Sequence, residues 1–155
     1  MINSTCCFTG HRDICENDLE AVKQNVDKIL KDLILKGYKY FGTGGAVGFD
    51  ALAAKAVIEL KKSNKDIKLI LVLPCKDQDK FWSLDEKVEY KFIKENADKI
   101  IYTGEKYDFG CMQKRNRHLV DNSSVCIAYV KKSRGGAAYT ASYAKNKGKT
   151  VIFVC

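Results

Sequence analysis

Thr43-Gly44-Gly45-Ala46-Val47-Gly48-Phe49-Asp50 joins an apolar run, residues 38–43, to a segment where Phe49, Leu52, Ala53, Ala56, Val57 and Leu60 recur at helical spacing. A strand that passes through a glycine-rich turn into a helix is a building unit of an α/β domain. The pattern returns at Arg134-Gly135-Gly136-Ala137-Ala138-Tyr139-Thr140. That turn lies between the apolar run 125–130 and a helical segment, 137–147, ended by Gly148. Glycine removes the Cβ that would hold a ligand away from backbone N–H groups, and a helix N-terminus attracts negative charge. Two such turns in one small chain predict a site for a phosphate-bearing ligand.

The same punctuation runs along the rest of the chain. Residues 5–9 form a short apolar run that ends at Gly10. Leu19, Val22, Val26, Ile29, Leu30, Leu33 and Ile34 repeat at helical spacing as far as Gly37. Residues 67–73 are almost all apolar and stop at Pro74, the only proline. Unbroken apolar character marks a strand covered on both faces, as in a parallel sheet. Residues 84–97 read as a helix with Val88, Phe92 and Ile93 inward, 99–102 as a strand, 112–120 as a helix and 150–154 as a last strand. The alternation predicts the α/β class: a Rossmann-like, doubly wound, mostly parallel sheet of about six strands flanked by helices. It spans one domain, residues 1–155. In such a sheet the loops that follow strands gather at one edge, where ligands bind. Those loops hold Gly10-His11-Arg12 and residues 44–50, 74–82, 103–117 and 131–140, so both glycine turns and several basic residues converge.

Composition narrows the function classes. A chain of 155 residues, 46% apolar, can bury a core as one domain. No stretch reaches the roughly 18 apolar residues of a membrane span, so no membrane partner is expected. Met1-Ile2-Asn3-Ser4 leads into the first strand without a basic n-region, which predicts a cytoplasmic protein. The seven cysteines include no C-x-x-C pair and read as small buried residues in a reducing compartment, Cys7, Cys126 and Cys155 within strands. Cys75 and Cys111 fall in loops and are expected to be the more reactive. His11 and His118, the only histidines, show no ligand spacing, so no metal site is expected. The net charge of +8 is uneven. Residues 1–105 balance, whereas residues 106–149 hold Lys106, Lys114, Arg115, Arg117, Lys131, Lys132, Arg134, Lys145, Lys147 and Lys149 against Asp108 and Asp121. A basic stretch of this kind suits a polyanion, nucleotide or nucleic acid, or serves solubility as a solvated face.

Cys7-Phe8-Thr9-Gly10-His11-Arg12, the Thr43–Asp50 turn, Leu73-Pro74-Cys75 with Gln78 and Trp82, Gly110-Cys111-Met112, and Lys114-Arg115-Asn116-Arg117 occur in that order. Together they resemble the YpsA-like proteins of the SLOG superfamily over nearly the whole chain. The resemblance implies a Rossmann-like fold that binds nucleotides or nucleotide-derived ligands, an ADP-ribose-type molecule among them, and a homo-oligomer as a state to expect. Within the superfamily, the DNA-binding DprA proteins share a similar first turn, the R-N-R segment and a late small-residue turn followed by T-A, here Thr140-Ala141. The LOG phosphoribohydrolases carry a catalytic Glu after their second turn. Tyr143 stands at that position here, which speaks against that activity.

Candidate roles follow. Gly44, Gly45 and Gly48 would bring backbone to a phosphate, and Asp50 would bond a ribose hydroxyl or its own loop. Gly135, Gly136 and the Thr140 hydroxyl would form a second anion cradle. Arg12, beside Gly10 and His11, offers a guanidinium fork for phosphate, and His11 a further donor. Arg115 and Arg117 flank Asn116, and alternate residues on a helix do not share a face, so one arginine is expected at the ligand. Asn116 would otherwise tie loops together. Gln78 is a candidate to read a base edge. Trp82, Tyr107 and Phe109 either stack on a base or cap the core. The first reading is therefore binding or sensing of a nucleotide-like small molecule. The alternatives are single-stranded nucleic-acid binding of the DprA kind, and a nucleotide-processing hydrolase using Asp50 or Asp108.

Overall fold

The structure is a computed structural model and describes every residue, Met1–Cys155. Six strands, β1 (Thr5–Gly10), β2 (Tyr40–Thr43), β3 (Lys68–Leu73), β4 (Lys99–Tyr102), β5 (Val125–Tyr129) and β6 (Thr150–Phe153), form one sheet in the order β4-β3-β2-β1-β5-β6. All five pairings are parallel. Five helices connect them: α1 (Leu19–Leu35), α2 (Phe49–Lys61), α3 (Leu84–Glu95), α4 (Cys111–Asp121) and α5 (Gly136–Asn146). Right-handed crossovers put α1, α2 and α3 on one face while the chain steps outward from β1 to β4. The chain then returns past β1 to β5, which puts α4 and α5 together on the other face. The direction of winding thus reverses between β1 and β5, the switch point of a doubly wound sheet.

Strand alternation fills both faces. Cys6, Phe8, Phe41, Leu69, Leu71 and Ile127 belong to the larger core beneath α1–α3. Cys7, Val72 and Cys126 join Leu119, Val120 and Ala144 in a smaller core beneath α4 and α5. On α1 the buried residues Val22, Val26, Leu30 and Leu33 form one stripe, and the helix stops before Gly37, whose φ of 96° is the left-handed conformation that ends helices readily. At α3, Ser83 and Glu86 form a capping box that fixes its first turn.

Several expectations need correction. On α3, Tyr90 and Ile93 face inward, whereas Val88 and Phe92 are exposed. Tyr90 and Ile93 are three residues apart and share a face, while Val88 and Phe92 lie round the helix from Tyr90. Among the cysteines, Cys155 is exposed. Cys75 and Cys111 are buried, and burial, with the hydrogen-bonded Asp77, pushes the Cys75 thiol up to about 11. A thiol raised in this way lacks the low pKa that makes cysteine reactive, so Cys75 is not the reactive residue its loop position suggested. No helix is long and apolar enough to cross a membrane.

One glycine welds the switch point together. A Cβ on Gly10, the last residue of β1, would run into the Phe49 side chain. Phe49 opens α2, is fully buried, stacks on Tyr129 at 5.9 Å and meets Phe8 edge-on at 6.3 Å. Gly10→Ala should therefore destabilise the fold by about 1–3 kcal/mol through overpacking. The measurement is a urea transition, in which the midpoint falls at unchanged slope. An unshifted midpoint would contradict the packing described.

Candidate functional site

A cavity of about 290 Å³ opens at the carboxyl ends of β1 and β5, above the switch point. Thr9, Gly10, His11 and Arg12 reach it from β1 and the loop behind it. Ala46 and Asp50 come from the first glycine turn and α2, Met112, Arg115 and Asn116 from α4, and Gly136 and Ala137 from α5. Three helices begin here, because the loops that follow β2, β4 and β5 all rise to this edge.

Arg115 is the unusual wall residue, only 4% exposed. Its Nη1 donates to the carbonyl of Gly44, to that of Val72 at 3.5 Å and to Gln78 Oε1 at 3.4 Å. Its Nε donates to Asn116 Oδ1 at 2.8 Å. Nη2 has only the thioether of Met112, at 3.5 Å, a weak acceptor. No carboxylate lies within ion-pair distance of Arg115: all seven ion pairs in the protein are made by lysines. Burial lowers the Arg115 pKa and raises that of Asp50, and their mutual attraction opposes both shifts without cancelling either. The guanidinium stays charged, so the cavity wall carries a cation that is desolvated and only partly compensated.

The first glycine turn serves this cation rather than lying open. Gly44, Gly45 and Ala46 are buried. A Cβ on Gly44 would overlap the Arg115 guanidinium, and one on Gly48, at φ 82°, would strike the backbone of Arg12. The Ala46 N–H donates to Asp50 Oδ2 at 3.3 Å, and the Phe49 N–H to the His11 carbonyl at 3.1 Å. Asp50 thus bonds its own loop while its side chain borders the cavity.

The second turn is the open one. A Cβ on Gly135 or Gly136 would meet nothing within 4 Å, and no side chain caps α5. The first N–H groups of α5 therefore stand at the cavity with the positive end of the helix dipole. Gly136 lines the cavity. The Thr140 hydroxyl donates back to the Gly136 carbonyl at 2.7 Å, within the helix. His11 fixes the approach to this turn. Its Nε2 accepts the N–H groups of Lys131 at 2.8 Å and Lys132 at 3.2 Å, and its ring sits edge-on to Tyr129. A ring nitrogen that accepts is unprotonated, so the proton of neutral His11 is on Nδ1.

The other sequence candidates lie apart. Gln78 is buried and gives its Nε2 to the Gly44 carbonyl at 3.3 Å and to the Tyr90 hydroxyl at 3.1 Å. Trp82 packs edge-on against Tyr90 at 4.9 Å, on the core side. Arg117 and Tyr143 do not line the cavity, and Tyr143 donates to Asp121 Oδ1 at 2.8 Å between α4 and α5. Met112 entered the sequence reading only as part of the Gly110-Cys111-Met112 motif, with no role at the site, although its place three residues before Arg115 on one helix is the signal that sets it against the guanidinium.

Several known proteins are similar to this chain. The SPbeta prophage-derived protein YoqJ of Bacillus subtilis (strain 168) is 38% identical over 137 residues, 80% of each chain. The UPF0398 protein of Bacillus cereus (strain B4264) is 28% identical over 142 residues, 88% of this chain and 77% of its own. The crystal structure of DNA processing protein A (DprA) from Streptococcus pneumoniae superposes with a TM-score of 0.71 at 21% identity over 97% of this chain. DNA processing protein A from Helicobacter pylori, whose structure addresses single-stranded DNA binding, superposes with a TM-score of 0.70 at 19% identity over 96%. The chain spans only 50% and 64% of those two proteins, and the likeness is one of fold. The family model described as the YspA SLOG family matches residues 7–153. With that match and the relative at 38% identity, the chain belongs to the YspA SLOG family.

Proposed function

We propose that the chain binds a nucleotide or nucleotide-derived ligand by its phosphate in the switch-point cavity. The observation that carries this reading is the buried, unpaired Arg115 with Nη2 turned to a cavity wall. A buried charge compensated only by neutral hydrogen-bond acceptors and a carboxylate beyond ion-pair distance is expensive, and an anion delivered to it recovers part of that cost. The exposed Arg12 adds a second guanidinium, the first turn of α5 adds backbone donors, and His11 adds Nδ1–H. Single-stranded DNA binding is the second reading. It is supported by the basic stretch 106–149 and by the fold shared with DNA processing protein A.

A thermal-shift panel of nucleoside monophosphates, dinucleotides, ADP-ribose and a short single-stranded oligonucleotide, at low and high salt, separates the two. A ligand at 100 times its Kd adds about 2.7 kcal/mol to stability. A small nucleotide should raise Tm at both salt concentrations. A shift with the oligonucleotide alone that vanishes at high salt would favour the DNA reading, since phosphate contacts release counterions. Arg12→Ala, a change at an exposed side chain, should weaken the nucleotide about 10- to 100-fold, the loss of one charged hydrogen bond. Unchanged affinity would remove Arg12 from the site.

The His11 lock gives a pH dependence. Burial, with Lys132 nearby, lowers its pKa below 6.5, so the unfolded chain takes up the proton first. The stability tied to this group is whole above pH 6.5 and is lost as pH falls below it. Asp50 has the opposite sign, since its raised pKa favours the fold in acid, so the comparison must isolate His11. His11→Gln removes the titration while an amide oxygen still accepts. Any Tm advantage of the wild type over this variant should shrink between pH 7.5 and 5.5. A constant difference would show that the ring is not locked as described.

A further inference from the structure

The loop between β4 and α4 carries two aromatic side chains that the core does not use. Phe109 is fully exposed and Tyr107 is 62% exposed, next to Met112 at the start of α4. They border a second pocket of about 310 Å³ with Asp108 and Gln113. Met112 lines both this pocket and the switch-point cavity, so its side chain is the partition between them. The Arg115 Nη2 contact holds that partition in place.

The loop is anchored at both ends. The Tyr107 N–H donates to Asp77 Oδ1 at 3.3 Å, and the Lys76 N–H to the Glu105 carbonyl at 3.4 Å. At the other end, Gly110 turns the chain at φ 82° and the buried Cys111 seats the helix. An exposed ring on an anchored loop loses apolar burial and gains nothing inside the fold. It is placed to give that area to something outside.

We infer that this pocket is the base-binding subsite of the ligand, which makes the preferred ligand a nucleoside phosphate rather than a sugar phosphate. The inference rests on the phosphate reading above. The phosphate lies against Arg115 and Arg12, the sugar crosses Met112, and the planar base stacks on Phe109 or Tyr107. Asp108 and Gln113 stand at the rim, an acceptor for an exocyclic amine and an amide that both donates and accepts. Trp82 has no part in this subsite, because its ring is committed to Tyr90.

The test titrates ribose 5-phosphate and the four common nucleoside monophosphates into the wild type, Phe109→Ala, Phe109→Trp and Tyr107→Ala. The wild type should bind at least one nucleoside monophosphate more tightly than ribose 5-phosphate. Phe109→Ala or Tyr107→Ala should erase that preference, a loss of about 5- to 150-fold for one stacked base, with ribose 5-phosphate unaffected. Phe109→Trp should keep it. Equal affinity of the wild type for ribose 5-phosphate and all four nucleotides would overturn the base subsite and leave the phosphate reading standing. The same holds if nucleotide affinity survives both alanine changes while Phe109→Ala dissolves a dimer on size exclusion, which would assign the aromatic loop to self-association. Failure of every probe to bind the wild type would overturn both.

Discussion

The Arg115 guanidinium, driven under the carboxyl ends of β2 and β3, is the constraint on which the rest of the site depends. It starts on α4, on one face of the sheet, and ends on carbonyls that belong to β3 and to the turn leading into α2 on the other face. Gln78 relays the contact to the Tyr90 hydroxyl, and Trp82 closes on Tyr90. One cation thus ties together the loops after β2 and β3 and the start of α4. A hydrophobic residue of similar volume would often hold such a junction at lower free energy, because burying an ion is costly. The arrangement makes sense if the charge also acts on something that enters the cavity.

That cation explains why two similar glycine turns have different uses. Thr43–Asp50 and the later turn at Gly135 both place glycine between a strand and a helix, and the sequence suggests the same task for both. In the fold, the first turn is packed from within. Gly44 makes room for Arg115, Gly48 for the Arg12 backbone, and Asp50 takes the Ala46 N–H. Only Gly135 and Gly136 stand clear. The difference was not legible because the residue that fills the first turn lies 71 positions away in the chain. A local pattern shows that Cβ is unwelcome, but not whether a ligand or the protein's own side chain is the reason.

The fold itself was far more legible. Strand and helix alternation fixed all eleven elements to within two residues at nearly every boundary, since each apolar run reports burial directly. The errors came where burial is set by the neighbour rather than by the run. Helix α3 flanks the sheet near its edge, so Tyr90 and Ile93 suffice to seat it and Val88 and Phe92 remain outside. Cys75 and Cys111 sit at loop positions in the sequence, yet they are buried because the loop after β4 is pinned to the loop after β3. Helical geometry also separates the two arginines of the R-N-R segment, since alternate residues face different ways, and Arg115 alone of the pair lines the cavity.

The division of labour between the two basic residue types points the same way. Lysine makes every ion pair, most of them exposed pairs of the kind that add little stability. The four arginines, Arg12, Arg115, Arg117 and Arg134, make none. Arginine is the residue whose rigid fork matches the oxygens of a phosphate, and it holds its charge when desolvated. Arg12 and Arg115 line the cavity, and Arg134 stands in the open glycine turn beside it. Had these arginines been recruited for stability, carboxylates would be expected within reach, as they are for Lys61 and Lys131. Their unpaired state, gathered where the sheet reverses its winding, is what an edge prepared for an anion requires.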